Sequence, residues 1–286
     1  MTFDPNEHRQ SSLEGWEAAA PGWVRRGEMM RDFAAPVSHW MLDALEPQPG
    51  QRLLELAAGI GETGMLAAEM VAPMGSVVIS DQAEAMLDGA RARAQELGLS
   101  NLEFKVLNAE WIDLPLASLD GVLCRWGYML MADPAAALAE TRRVLRPGGR
   151  VALAVWNSLK LNPWALLPAQ ELIARGLAPA PDPAVAPRPG PFALGDIAQV
   201  ETLLQDAGFA EVRVEAVELT RRHLNFAELW ESTLDLSASF HDAVLSRPAA
   251  EIDEIERALA ERFAPYTAAD GTLEIPGSTL VACASA

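Results

Sequence analysis

Between residues 50 and 156 short apolar runs alternate with stretches whose apolar positions recur at helical spacing. The runs "RLLEL", "GSVVIS", "LEFKVL", "DGVLCRW" and "RVALAVW" predict five strands, the second ending at Asp81. Helices are predicted over 62–70, 82–98 and 134–145, with "RPGG" as a turn before the fifth strand. Most of these strands are apolar throughout, as strands buried on both faces are, so the sheet should be parallel with helices on each side. Right-handed crossovers then give a doubly wound α/β sheet.

The flanks follow a looser rhythm. Residues 1–28 read as short helices broken by "PGW", and 29–46 as a helix that Pro36 kinks or interrupts. After Trp156 a proline-rich stretch at 177–192 predicts an extended loop, 196–208 a helix, and 211–219 a half-exposed strand. Residues 226–263 look mostly helical, and "GSTLVACASA" closes the chain as a strand, for a mostly parallel sheet of seven. The expected organisation is one domain: an N-terminal helical lid at 1–46, an α/β core at 47–157, a loop, helix and sixth strand at 158–225, and a helical insertion with the last strand at 226–286.

Charge narrows the partners. The 286 residues carry 40 Asp and Glu against 22 Lys and Arg, a net charge of −18. Such a surface repels phosphate backbones and anionic membranes, so a small molecule is the expected partner rather than nucleic acid or a membrane. "TRRVLRPGGR" and "LTRRH" are short basic exceptions. No run of about 18 uncharged apolar residues suggests a membrane span, and the polar start lacks the order of a signal peptide. A cytoplasmic protein is expected, with Cys124 and Cys283 as buried thiols and no metal site. A homodimer is left open.

The stretch "LLELAAGIGETGMLAAEM" holds Gly59, Gly61 and Gly64 between a strand and a helix. Such a loop lets a ligand approach the backbone and the helix's first amides. Asp81, ending the next strand, can accept hydrogen bonds from both hydroxyls of a ribose. Both features suit a nicotinamide cofactor as well as S-adenosylmethionine. Glu55 favours the second, because a carboxylate before the glycines repels a pyrophosphate and suits an ammonium and a sulfonium. Asn108, Ala109 and Glu110 follow the third strand, placed to meet a base.

The stretches "LLELAAGIGETG", "VVISDQAEAML", "LNAEWIDLP", "LDGVLCRWGYMLMADP" and "RRVLRPGGRVALAVW", in this order and spacing, resemble class I S-adenosylmethionine-dependent methyltransferases. The likeness is closest to the small-molecule branch that includes the quinone-biosynthesis C-methyltransferases, and it covers about residues 50–156. It implies a Rossmann-like methyltransferase fold with S-adenosylmethionine as cofactor. Gly59 and Gly61 would line its methionyl part, Glu55 would lie near its amino group, and Asp81 would hold the ribose. Gln82 and Met86 would flank the adenine, and Asn108 and Ala109 would meet its edge. Two residues depart from the family: Ala57 stands where glycine is commoner, and Asn108 where aspartate is.

Methyl transfer from a sulfonium is an in-line displacement that needs alignment and exclusion of water, and a base only if the acceptor must lose a proton. His39 is the first candidate for such a base, since imidazole exchanges protons near neutrality; a structural or surface histidine is the other reading. Trp23, Trp126, Tyr128 and Trp156 are candidate acceptor contacts, and eight tryptophans point to an apolar or aromatic acceptor. Arg125 could lie beside the cofactor, hold an anionic acceptor or pair with an acidic neighbour. O- or C-methylation is expected. The alternatives are a nicotinamide-dependent oxidoreductase, or a protein of this fold that binds the cofactor without transferring its methyl.

Overall fold

The computed structural model describes residues 3–180 and 188–286. Seven strands form one sheet: β1 (Arg52–Glu55), β2 (Ser76–Asp81), β3 (Leu102–Val106), β4 (Leu119–Arg125), β5 (Leu145–Trp156), β6 (Ala210–His223) and β7 (Leu273–Ser285). Their order is β3-β2-β1-β4-β5-β7-β6. The first five are mutually parallel, and β7 lies antiparallel between β5 and β6. Chain order reverses between β1 and β4, and ligands of open α/β sheets bind at the carboxyl ends of strands beside such a reversal. Leu53, Leu54, Val77, Val78, Ile79, Val122, Leu123 and Val151 are fully buried, as expected of strands covered on both faces.

Within the α/β core, α3 (Glu62–Val71), α4 (Glu84–Leu97) and α5 (Pro134–Val144) connect the parallel strands, and α7 (Ile197–Asp206) precedes β6. Two helices open the chain, α1 (Pro5–Arg25) and α2 (Gly27–Leu45). Asp4 caps α1, its carboxylate accepting from the amides of Asn6 and Glu7, with Pro5 at the first helical position. The expected break at "PGW" is absent, because Pro21 lies inside α1. An interior proline costs about 3 kcal/mol in a helix. Packing of α1 along α4 and against α8 (Phe226–Leu236) offsets it. Pro36 is likewise accommodated inside α2, where Ala34 before it and Val37, Ser38 and Met41 after it are buried.

The later chain differs more from the sequence reading. The "RPGG" segment is not a free turn: it opens β5, where Gly148 at φ 78° and a register shift after Leu119 make an irregular start. Residues after Trp156 form α6 (Pro163–Ala174), which its even spread of apolar residues concealed. With α8, α9 (Ala238–Leu245) and α10 (Ala249–Phe263) it buries a second apolar cluster around Leu229, Phe240, Ile255 and Phe263. The proline-rich loop expected at 177–192 falls partly on residues 181–187, outside the described residues. Among the described residues no helix is long and apolar enough to cross a membrane.

Candidate active site

The carboxyl ends of the strands open into one cavity lined by Glu55 of β1, Asp81 of β2, the 107–110 segment after β3, Arg125 and Trp126 after β4, and Trp156 of β5. Its first half is built by the glycine loop. Ala57, Gly59 and Gly61 all have positive φ, 48°, 54° and 78°. Gly59 lines the cavity. Gly61 sits behind it as the left-handed residue opening α3. A Cβ there would approach Met65, Ile79 and Ala90 to within 3.1–3.3 Å, so glycine permits the close contact of helix and strand. Ala57 accepts the left-handed conformation without glycine's freedom, and its methyl fills the space that a side chain on Gly127 would need.

Glu55 is 2 % exposed, and its Oε2 accepts from the Gly64 amide at 2.9 Å. Burial pushes its carboxyl up to about 7, against the opposing field of Arg125. Asp81 accepts from the amides of Gly59 (2.8 Å) and Ala83 (2.9 Å), one on each oxygen. Each oxygen keeps a lone pair for a hydroxyl. Burial raises the Asp81 carboxyl as well, opposed by those amides. Glu62, a lining residue that the sequence reading passed over, is raised by burial and accepts from Arg31 at 2.9 Å. Arg125 donates to Ser38 Oγ at 3.1 Å and lies 5.1 Å from the centre of the Trp126 ring. Three buried carboxylates thus gather here against Arg31 and Arg125, while Arg93, which also acts on Glu62, is engaged by Glu96; a cationic ligand would offset the negative charge that is left. Trp23 adds a buried indole N–H with no partner among the described residues. These features fit S-adenosylmethionine, whose ammonium, sulfonium and ribose hydroxyls match carboxylates in need of cations and donors.

The lid α1 is stitched across this half. His8 Nε2 bonds the Leu130 carbonyl at 2.8 Å, and Ser12 Oγ accepts from Gln82 at 3.1 Å. The Glu17 carboxylate accepts from the amides of Glu84 and Ala85 at the start of α4. Glu110 belongs to this stitching: Oε2 accepts from Arg9, and Oε1 from the Ala132 amide at 3.0 Å. Its carboxylate therefore joins α1 to two loops rather than standing free for a base. Asn108 is exposed, and its Oδ1 accepts from the Glu110 amide at 2.9 Å, which shapes the turn beside Ala109. Gln82, Met86, Asn108, Ala109 and Glu110 all line the cavity. His8 is the histidine that faces it; it escaped notice because the lid's route over the sheet is not written in the local sequence.

The second half is aromatic. Trp126 stacks on Trp156 with centroids 4.3 Å apart and planes 15° from parallel, Phe33 flanks both at 6.1 Å, and Trp164 tilts against Trp156 at 4.8 Å. Trp126 has φ 60°, a strained conformation for a bulky residue. Its amide donates to the Ala154 carbonyl at 2.7 Å and its indole N–H to Thr279 Oγ1 at 3.0 Å, so the ring is fixed. Phe33 and Trp164 were not among the sequence candidates; nothing local marks them as neighbours.

Three candidates stand outside the indole stack. His39 is exposed on α2 and does not line the cavity. Its neighbour Ser38 points inward, since consecutive helical residues face about 100° apart. His39 therefore does not face the ligand space as the expected base. Tyr128 is buried in the core with its hydroxyl 2.6 Å from Thr141 Oγ1, because the turn at Gly127 sends it back toward α5. Trp23 does line the cavity, but it packs edge-on against Trp16 beside Ile60 and Met86, at the cofactor end rather than in the indole stack. Both cysteines are free thiols; burial pushes Cys124 up to about 12.

Comparison with known proteins agrees with this geometry. A family described as a methyltransferase domain matches residues 47–175. The nocamycin O-methyltransferase of Saccharothrix syringae is 34% identical over 188 residues, covering 64% of this chain and 67% of that protein. The ubiquinone/menaquinone biosynthesis C-methyltransferase UbiE of Xanthomonas oryzae is 33% identical over 44% of this chain, which spans about half (53%) of that relative's length. In fold, the YcgJ protein of Bacillus subtilis superposes with a TM-score of 0.57 at 17% identity, covering 87% of this chain and 97% of that one. The nicotinamide alternative finds no support. With the carboxylates, the glycine loop and the sheet order in place, the chain belongs to the S-adenosylmethionine-dependent methyltransferases.

Proposed function

We propose that this enzyme methylates a small apolar or aromatic acceptor, on oxygen or carbon, bound against the indole stack. One observation carries the reading: Trp126, Trp156 and Trp164, packed on one another, line the same cavity as the carboxylate-bearing glycine loop. S-adenosylmethionine supplies an electrophilic methyl on a sulfonium. Glu55 would hold its amino group and Asp81 its ribose. The lid α1 and the Leu236–Ser237 corner after α8 keep water from the space between. Trp126 and Trp156 hold the acceptor flat, and such alignment is the main requirement of an in-line displacement. The catalytic contribution is therefore positioning, with no base assigned.

The test has two arms. S-adenosylhomocysteine at millimolar concentration should raise the melting temperature, since a ligand of the native state stabilises it. Incubation with S-adenosylmethionine and a panel of phenols, naphthols and hydroxyquinones, with simple aliphatic amines as a counter-set, should add one methyl to at least one of the aromatic compounds by mass spectrometry. No thermal shift would sink the cofactor assignment. A shift with methylation of simple amines alone would sink the aromatic acceptor.

A further inference from the structure

The cavity does not end at the indoles. Its far wall carries Arg221 of β6, which is 6 % exposed. The register explains how it gets there. Trp156, the last residue of β5, lies opposite Thr279, which lies opposite Val217 on β6. Arg221 pairs with Ile275, four residues further on. The β6–β7 ladder thus overshoots the edge of the parallel sheet and carries an arginine up beside the ligand space.

This guanidinium has no carboxylate partner among the described residues. One Nη donates to Ser232 Oγ at 3.2 Å, and Nε is buried without an acceptor. Its surroundings add positive charge rather than cancel it. Arg26 is near enough to act on it and is itself engaged by Asp235 and Glu231. His223, two residues along the strand, is buried with both ring nitrogens unbonded; burial and the two arginines push it down to about 3, so it is neutral and supplies Arg221 with no compensating charge. A buried, unpaired arginine costs far more than a paired one, so it is tolerated where a ligand completes it. The planar fork of donors suits a carboxylate, which it can grip at two oxygens.

Position separates this anchor from the reacting centre. Glu55 lies on β1 and Arg221 on β6, four strands apart in the sheet order, roughly 19 Å at about 4.8 Å per strand. The aromatic series bridges the gap, and the Arg221 guanidinium lies 5.8 Å from the centre of the Trp164 ring. We infer that Arg221 is a specificity-determining residue that binds a carboxylate at the end of the aromatic acceptor remote from the methylated atom. This rests on the proposed methyl transfer and narrows its acceptor to aryl acids.

The experiment titrates protein saturated with S-adenosylhomocysteine with 2-naphthoate and, separately, with the uncharged isostere 2-naphthamide, following tryptophan fluorescence and calorimetry. The carboxylate should bind at least tenfold more tightly than the amide. Arg221→Met should abolish that preference while leaving S-adenosylhomocysteine affinity within twofold. Arg221→Lys, which keeps the charge and loses the fork, should fall between and serves if the methionine variant folds poorly. Equal binding of the two probes, or a preference that survives Arg221→Met, would overturn the assignment of Arg221 alone. Failure of S-adenosylhomocysteine to bind the parent protein would overturn the methyl-transfer reading and this one with it.

Discussion

Replacing Glu55 with Gln is the sharpest test of the cofactor end, because the same carboxyl governs two measurable pH dependences. Burial raises it from 4.5 to about 7. A folded-state value above the unfolded one means that the folded protein holds the proton more tightly. The stabilisation is therefore complete below the unfolded value and is lost as pH rises through about 7. The interval of about 2.5 units corresponds to ~3 kcal/mol at 1.36 kcal/mol per unit. Glu55→Gln keeps an oxygen for the Gly64 amide and removes the buried charge, so it should flatten this slope and stabilise the unliganded protein at pH 8. Asp81 and Glu62 are raised too, which is why the difference between parent and variant is the quantity to read.

Ligand binding should run the other way. An ammonium beside Glu55 favours the carboxylate, so binding must release the proton at low pH. A carboxyl with a value near 7 is about one-tenth ionised at pH 6 and about nine-tenths at pH 8, so affinity for S-adenosylhomocysteine should improve about tenfold over that range. Calorimetry in buffers of different ionisation enthalpy should count close to one proton released at pH 6, and none attributable to this group in Glu55→Gln. An affinity that is flat from pH 6 to 8 in the parent, or unchanged in both level and slope by the substitution, would refute the role of Glu55.

Two further substitutions probe the frame. A Cβ on Gly64 would stand 2.5 Å from Glu55 Oε2, so Gly64→Ala should displace that carboxylate and cost about 1–3 kcal/mol in a denaturant titration, with weakened cofactor binding. Asp235 holds Arg25 and Arg26 at 2.5 and 2.7 Å and latches α8 to the lid. Asp235→Ala should leave the core's melting nearly intact, increase proteolysis within residues 5–25, and raise KM more than it lowers kcat.

Much of the parallel core was legible in the chain. Continuous apolar runs at "RLLEL" and "VVIS" can be buried only between two helical layers, and a glycine loop after the first of them fixes where a ligand meets backbone. Glu55, Asp81 and the glycines were readable because each lies within a few residues of the signal that marks it. What tertiary structure alone decided was which distant segments close over that loop. Pro21 argued locally for a break, and only contact of α1 with α4 and α8 makes the unbroken helix favourable. His39 and Ser38 are neighbours in sequence, yet helix rotation turns one to solvent and the other to Arg125. Arg221 sat in a stretch whose sequence showed only a short basic exception to the acidic charge, and the long β6–β7 ladder buried it near Trp164. Glu55, the glycines and Asp81 share one short strand–loop–helix–strand unit, whereas the acceptor wall is drawn from segments scattered between Phe33 and Arg221, whose meeting no local pattern encodes.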